Sequence, residues 1–176
     1  FMRNKGSKGY YMPPEWSAHS QTLVSWPVAA SMVHPENKER VEAGYAEFIR
    51  AIAEFEPVTV LVNQRDAANA KLLCKAVPLP GNKIVFIEVE HNDSWIRDNG
   101  PTFVFGGDGS LAGVNWRFNA WGGKYSPWDL DDALAPSVLA HLDVKCINAP
   151  LVMEGGSFHT DGEGSLLTTE ECLDRK

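Results

Sequence analysis

Val58-Thr59-Val60-Leu61-Val62 is the stretch that most restricts the fold, because it is β-branched almost throughout and has no polar alternation apart from Thr59. A strand with one wet face alternates polar and apolar residues; an unbroken apolar run needs cover on both faces, as in a parallel sheet flanked by helices. The surrounding sequence supplies that cover. Upstream, His34-Pro35-Glu36 opens a helix in which Val41, Tyr45, Phe48, Ile49, Ile52 and Phe55 recur on one face, and Pro57 stops it. Downstream, a second helix is expected from about Arg65 to Ala76, before Pro78 and Pro80, followed by a strand from Lys83 to Glu90. A short strand, Thr22 to Trp26, comes first and is closed by Pro27, which cannot donate to a ladder.

Past residue 101 the pattern changes from crossover units to hairpins. Thr102 to Phe105 and Leu111 to Trp116 flank Gly106-Gly107-Asp108-Gly109-Ser110, where Gly and Asp supply the backbone a tight turn needs. Ser126-Pro127-Trp128-Asp129 reads as a helix start, with the helix running to about His141 and kinked at Pro136. A strand from about Val144 leads to a second unusual loop, Glu154 to Gly164, and to strand-like Ser165 to Thr169. The order of elements is that of an α/β protein with mixed sheets. Residues 1–9 read as a flexible arm and residues 10–176 as the folded part.

Composition narrows the class. The chain has 176 residues, 44% hydrophobic and 22% charged, the make-up of one sizeable core. Its 16 basic and 23 acidic side chains leave a net charge of −7, which argues against a nucleic-acid surface. No apolar run approaches the roughly 18 residues of a membrane span, and no secretion signal is seen, so a cytoplasmic setting without membrane contact is expected. Cys74, Cys146 and Cys172 are widely spaced and read as reduced, buried structural thiols of the core, with no zinc-like spacing.

Asn92-Asp93-Ser94-Trp95-Ile96-Arg97-Asp98-Asn99-Gly100-Pro101 carries more chemistry than a turn requires. A carboxylate beside an aromatic wall suits a small planar cation: the oxygens accept paired N–H bonds from a guanidinium, and the indole covers its apolar stem. An ion pair of Arg97 with Asp93 or Asp98, serving only to hold the turn, fits the loop equally well. A weak internal repeat adds to the first reading. Asp98 stands twelve residues before Ser110, and Glu154 eleven before Ser165, each ahead of a Gly-Ser-Leu return. Repeated units around an axis would point both acids into one pocket, whereas an acid in an isolated turn is ordinarily solvated. Trp121, beside Gly122 and Gly123, suggests backbone approaching something closely.

Met12-Pro13-Pro14-Glu15-Trp16, the Asn92 to Pro101 loop, Phe118-Asn119-Ala120-Trp121-Gly122-Gly123, Glu154-Gly155-Gly156-Ser157-Phe158-His159 and Thr168-Thr169-Glu170-Glu171-Cys172-Leu173 together resemble the agmatine deiminases, of the peptidylarginine-deiminase-like group of guanidine-modifying enzymes. The likeness runs from Tyr10 to Leu173. It implies a five-bladed, pentein-like α/β propeller of ββαβ-type repeats, of which this chain would be a part. The implied reaction is hydrolysis of agmatine to N-carbamoylputrescine and ammonia through a Cys-linked intermediate, with no metal or organic cofactor. By the same likeness Asp98 grips the guanidinium and Glu154 is the acid associated with the catalytic His. Trp95 and Trp121 would line the pocket, Arg97 would brace the loop by a salt bridge, and Asp93 would cap it.

The family's Gly-His-x-Asp segment and its C-terminal Gly-Asn-x-His-Cys segment do not occur here, and His159 with Asp161 belongs to the Glu-Gly-Gly motif instead. The expected partners are therefore a cationic guanidine substrate and the missing C-terminal half of the enzyme, with a homo-oligomer left open and the chain inactive alone. Two alternatives stand beside this reading: a deiminase of peptidyl-arginine or another guanidine compound, and a catalytically dead guanidine-binding module.

Overall fold

The computed structural model describes residues 9–75 and 83–174. Residues 1–8 of the arm expected at residues 1–9, and the prolines at 78 and 80, lie outside the described residues. The chain divides into two compact units, one formed by Ala18–Ile96 with Pro127–Asp131, the other by the stretch ending at Ser17, Arg97–Ser126 and the chain from Asp132 onward.

The Ala18–Ile96 unit holds the parallel sheet required by the Val58 run. Strands β2 (Thr22–Ser25), β3 (Val58–Val62) and β4 (Ile84–Glu88) lie side by side in that order, Val60 facing Val24 on one side and Phe86 on the other. Every residue of β3 is buried, as expected of a strand between two parallel neighbours. Helices α1 (Lys38–Ala53) and α2 (Ala67–Lys75) pack with this sheet around one core that includes Trp26, Ile49, Val60 and Cys74.

The buried stripe of α1 matches the expected face in part, with Ile49 buried and Tyr45 and Ile52 packed against the core. Glu42, Ala46, Ile49 and Ala53 face inward, while Phe48 is 53% exposed and Phe55, just beyond the helix, 85%. Ile49 fills the centre of that contact between the small side chains of Ala46 and Ala53. Glu42 is accommodated because Trp26 Nε1 and Asn69 Nδ2 donate to its two oxygens at 3.3 and 2.9 Å, and Lys38 Nζ lies 3.4 Å away.

The other unit is built on a mixed sheet in the order β1-β5-β6-β7, with β1 at Tyr10–Tyr11, β5 at Thr102–Gly106, β6 at Leu111–Arg117 and β7 at Lys145–Val152. One-turn helix α3 (Ile96–Asn99) delivers the chain to β5. β5 and β6 form the expected hairpin, and β7 runs parallel to β6 after a helical crossover, giving a ββαβ order. The crossover contains two helices, α5 (Asp129–Asp132) and α6 (Leu134–His141), instead of one kinked helix. Pro136 sits near the start of α6, where its ring would collide with the carbonyl of Asp132 in a continuous helix. α6 lies so close on β6 that a Cβ at Gly113 would stand 2.3 Å from Leu139 Cδ2. A second hairpin, β8 (Phe158–Thr160) with β9 (Leu166–Thr168), is followed by a short helix α7 (Glu170–Leu173), capped by the Thr169 hydroxyl.

Both hairpins are closed by an aspartate. Asp108 Oδ1 accepts from Ser110 N and Oγ at 2.9 and 2.6 Å, and Asp161 Oδ1 accepts from Glu163 N and Ser165 N at 2.7 and 3.0 Å. The Gly-Ser-Leu repeat seen in the sequence is thus a repeated hairpin with a repeated carboxylate clamp.

Candidate active site

Asp98 lies on α3, and two segments of its own unit converge on it. The Gly156 amide donates to Oδ1 at 3.1 Å, the Trp121 indole Nε1 donates to Oδ2 at 3.3 Å, and the Gly155 amide donates to the Asp98 main-chain carbonyl at 3.1 Å. The Glu154-Gly155-Gly156 motif is therefore laid directly against Arg97-Asp98. Its glycines are required by space: a Cβ at Gly155 would lie 2.4 Å from Arg97 O, and one at Gly156 would lie 2.3 Å from Asp98 Oδ1. Glu154, one residue away, is only 2% exposed, unlike a solvated turn acid. Ser157 holds that turn by donating to Glu154 O from both its amide and its hydroxyl, at 3.0 and 2.6 Å.

Trp121 is brought to Asp98 by an unusual piece of backbone. The single turn Ala120–Gly123 (α4) has φ of 51°, 58°, 86° and 75° along its four residues, all in the left-handed region. For Ala120 and Trp121 that conformation costs about 1–2 kcal/mol each, so neighbouring contacts must hold it. Asn119 does so at both ends, its Oδ1 accepting from Gly122 N at 2.8 Å and its carbonyl from Gly123 N at 2.7 Å. Phe118 and Tyr125 meet the indole edge-on at 5.2 and 5.7 Å between ring centres. Gly122 and Gly123 thus serve the positive φ, and a Cβ added at Gly123 would meet nothing within 4 Å, whereas backbone approaches closely at Gly155 and Gly156.

Arg97 pairs with neither Asp93 nor Asp98. Its Nη2 lies 2.7 Å from Glu15 Oε1, the same oxygen that His159 Nδ1 approaches at 3.7 Å. Arg97 and His159 are thereby tied to the Met12 to Trp16 motif through one carboxylate.

In the Ala18–Ile96 unit, Trp95 is 53% exposed and its indole donates to Asp93 Oδ2 at 2.9 Å. Asp93 caps as expected, its Oδ1 accepting from Ser94 N at 2.7 Å and from Ser31 Oγ at 2.8 Å. A reciprocal clasp secures the start of the loop: Asp131 Oδ1 accepts from the Asn92 and Asp93 amides at 2.8 and 3.2 Å, and Asn92 Oδ1 accepts from Leu130 N and Asp131 N at 2.9 and 3.2 Å. Burial pushes the Asp131 carboxyl above the usual aspartate range, against the pull of those amides. Nothing in the sequence near Asp131 pointed to this clasp, because its two halves lie 39 residues apart.

The three cysteines are free, and only Cys74 is buried; Cys146 and Cys172 are partly exposed, contrary to the expectation that all three are core. Burial pushes the Cys74 thiol up to about 11, partly offset by Arg50. Among the described residues, no group of three or more His, Cys, Asp or Glu side chains could hold a metal ion, and no helix is long and apolar enough to cross a membrane.

With this geometry in view, comparison with known proteins defines the class. Residues 11–176 match the Porphyromonas-type peptidyl-arginine deiminases, and the chain belongs to that family. Within it, the chain is 44% identical over 171 residues to the agmatine deiminase of Stutzerimonas stutzeri, covering 94% of this chain and 45% of that protein. Among solved structures it is similar to the agmatine deiminase of Enterococcus faecalis, with a TM-score of 0.83 and 37% identity over 94% of this chain and 45% of that one. It is also similar to a C. jejuni agmatine deiminase with substrate bound, with a TM-score of 0.81 and 27% identity over 94% and 47% of the two chains. The chain spans about half the length of the curated relatives it matches.

Proposed function

We propose that this chain carries the guanidine-gripping part of a cytoplasmic agmatine deiminase, with its sheets forming blades of a five-bladed propeller. The observation that carries the reading is the convergence on Asp98: a carboxylate held by the Trp121 indole and by the Gly156 amide, in the same Glu-Gly-Gly motif as the buried acid Glu154. A guanidinium is resonance-stabilised and a poor electrophile, so it must be held rigidly while a thiolate attacks its central carbon. Asp98 would accept the N–H bonds of its edge, and Glu154 would orient the His that protonates departing ammonia and deprotonates the incoming water. The thiolate and that His would come from residues this chain does not contain. Trp95 and Trp121 are proposed beside the substrate. The relatives named agmatine deiminase support agmatine over a peptidyl substrate.

Titration calorimetry with agmatine, N-acetylarginine amide and putrescine tests this. Agmatine should bind, putrescine, which lacks the guanidinium, should not, and Asp98→Asn should weaken agmatine on the order of 10- to 100-fold through loss of charge-assisted bonds. Equal affinity of wild type and Asp98→Asn would refute the assignment. Preference for the arginine amide would favour a peptidyl-arginine deiminase.

A further inference from the structure

We propose that Trp121 is a positioning residue that fixes the plane of the Asp98 carboxylate, beyond any contact its ring makes with substrate. This rests on the reading of Asp98 as the guanidinium acceptor. Each oxygen of that carboxylate already accepts one N–H, Oδ1 from Gly156 and Oδ2 from Trp121. A carboxylate has about four acceptor positions. Two are thus occupied by donors on separate segments, which stops rotation about the side chain, and one on each oxygen is left for the paired N–H bonds of a guanidinium. An orientation fixed before binding spares the ligand the ordering cost.

The surrounding structure is arranged around this contact. The left-handed turn Ala120–Gly123 would be disfavoured without a role, and Asn119 clamps it so that the indole N–H reaches Oδ2. On the opposite oxygen, the absence of a side chain at Gly156 is what admits the carboxylate, since a Cβ would stand 2.3 Å from Oδ1. A tryptophan needed only as an apolar wall for a methylene chain could be replaced by phenylalanine. One needed for its N–H could not.

The test uses two ligands, methylguanidinium chloride and agmatine, with wild type, Trp121→Phe and Gly156→Ala. If Trp121 positions Asp98, Trp121→Phe weakens both ligands by the same factor, at least about fivefold, because the loss is at the head group they share. Gly156→Ala should reproduce the parallel loss from the other oxygen. Weakening of agmatine alone, with methylguanidinium unchanged, would show a stem-wall role and overturn the proposal. A ligand-free readout guards against misfolding: among the six tryptophan indole N–H signals in the nitrogen-correlated NMR spectrum, the one absent in Trp121→Phe should move in Asp98→Asn and Gly156→Ala while the others stay. An unmoved signal overturns the positioning contact. Failure of wild type to bind either ligand, with the signal still moving, instead overturns the guanidinium reading of Asp98.

Discussion

Individual side chains divide sharply into those whose role can be read from type and those whose role depends on distant partners. Cys74 is of the first kind. Buried in the α2 core with its thiol pushed up to about 11, it carries almost no thiolate at pH ~8. Iodoacetamide at that pH should therefore label Cys146 and Cys172 first, with Cys74 modified only on unfolding; mass mapping of the labelled peptides checks the order. That the Asp98 loop and the Glu154 motif come together was also legible, since two acids set in Gly-rich loops at similar distances from Gly-Ser-Leu exceed what turns need. Asn119, Gly155 and Gly156 were not read as structural necessities. Their importance lies in contacts with Trp121, Arg97 and Asp98, and a linear pattern holds no record of a carbonyl 2.4 Å from a missing Cβ. Asp131 belongs with them, its raised carboxyl set by burial against the Asn92 loop. Because its folded form releases its proton at higher pH than the unfolded chain, stability should fall as pH rises just above the ordinary aspartate value. Asp131→Asn, which keeps an acceptor for the two amides, should remove that component of the pH-dependence of urea unfolding.

For whole elements, periodicity succeeded where packing follows hydrophobicity and failed where it follows shape. The Val58 to Val62 strand and the Thr102–Trp116 hairpin were legible because a buried run and a Gly-Asp-Gly turn each admit one local solution. The inward face of α1 was legible in part: Ile49, Tyr45 and Ile52 meet the core as expected, whereas Phe48 and Phe55 stay exposed and Glu42, Ala46 and Ala53 complete the buried stripe. Ile49→Ala should accordingly cost about 2–5 kcal/mol, and Phe48→Ala much less, measurable as the difference between their urea midpoints. At β6, Gly113→Ala would force Leu139 to move and should destabilise by about 1–3 kcal/mol. The two hairpin clamps predict acid sensitivity. Bonds from Ser110 lower the Asp108 carboxyl, and bonds from Glu163 and Ser165 lower that of Asp161. A lowered carboxyl contributes stability that is fully present above the ordinary aspartate value and is lost as pH falls through the folded-state value. Amide exchange at Ser110 and Ser165 should therefore accelerate below pH ~4 relative to β3 once the intrinsic pH trend is removed; uniform protection would contradict the clamp.

Taken as a whole, the molecule reads as α/β from sequence because crossover units and hairpins alternate along it, and the two compact units contain a parallel and a mixed sheet accordingly. Large apolar side chains stay exposed in both units, among them Phe55 and Leu167. The isolated chain should on this account bind a hydrophobic dye or self-associate with rising concentration, and a dye-silent monomer at all concentrations would count against it. The proposed division of labour is the decisive point, with the guanidine grip in these residues and the nucleophile elsewhere. The assay that bears on it follows ammonia and N-carbamoylputrescine release from agmatine by this chain alone and mixed with the C-terminal half of a family member. The account predicts no turnover by the chain alone, turnover on mixing, and loss of that turnover with Asp98→Asn; sustained turnover by the 176 residues alone would contradict it.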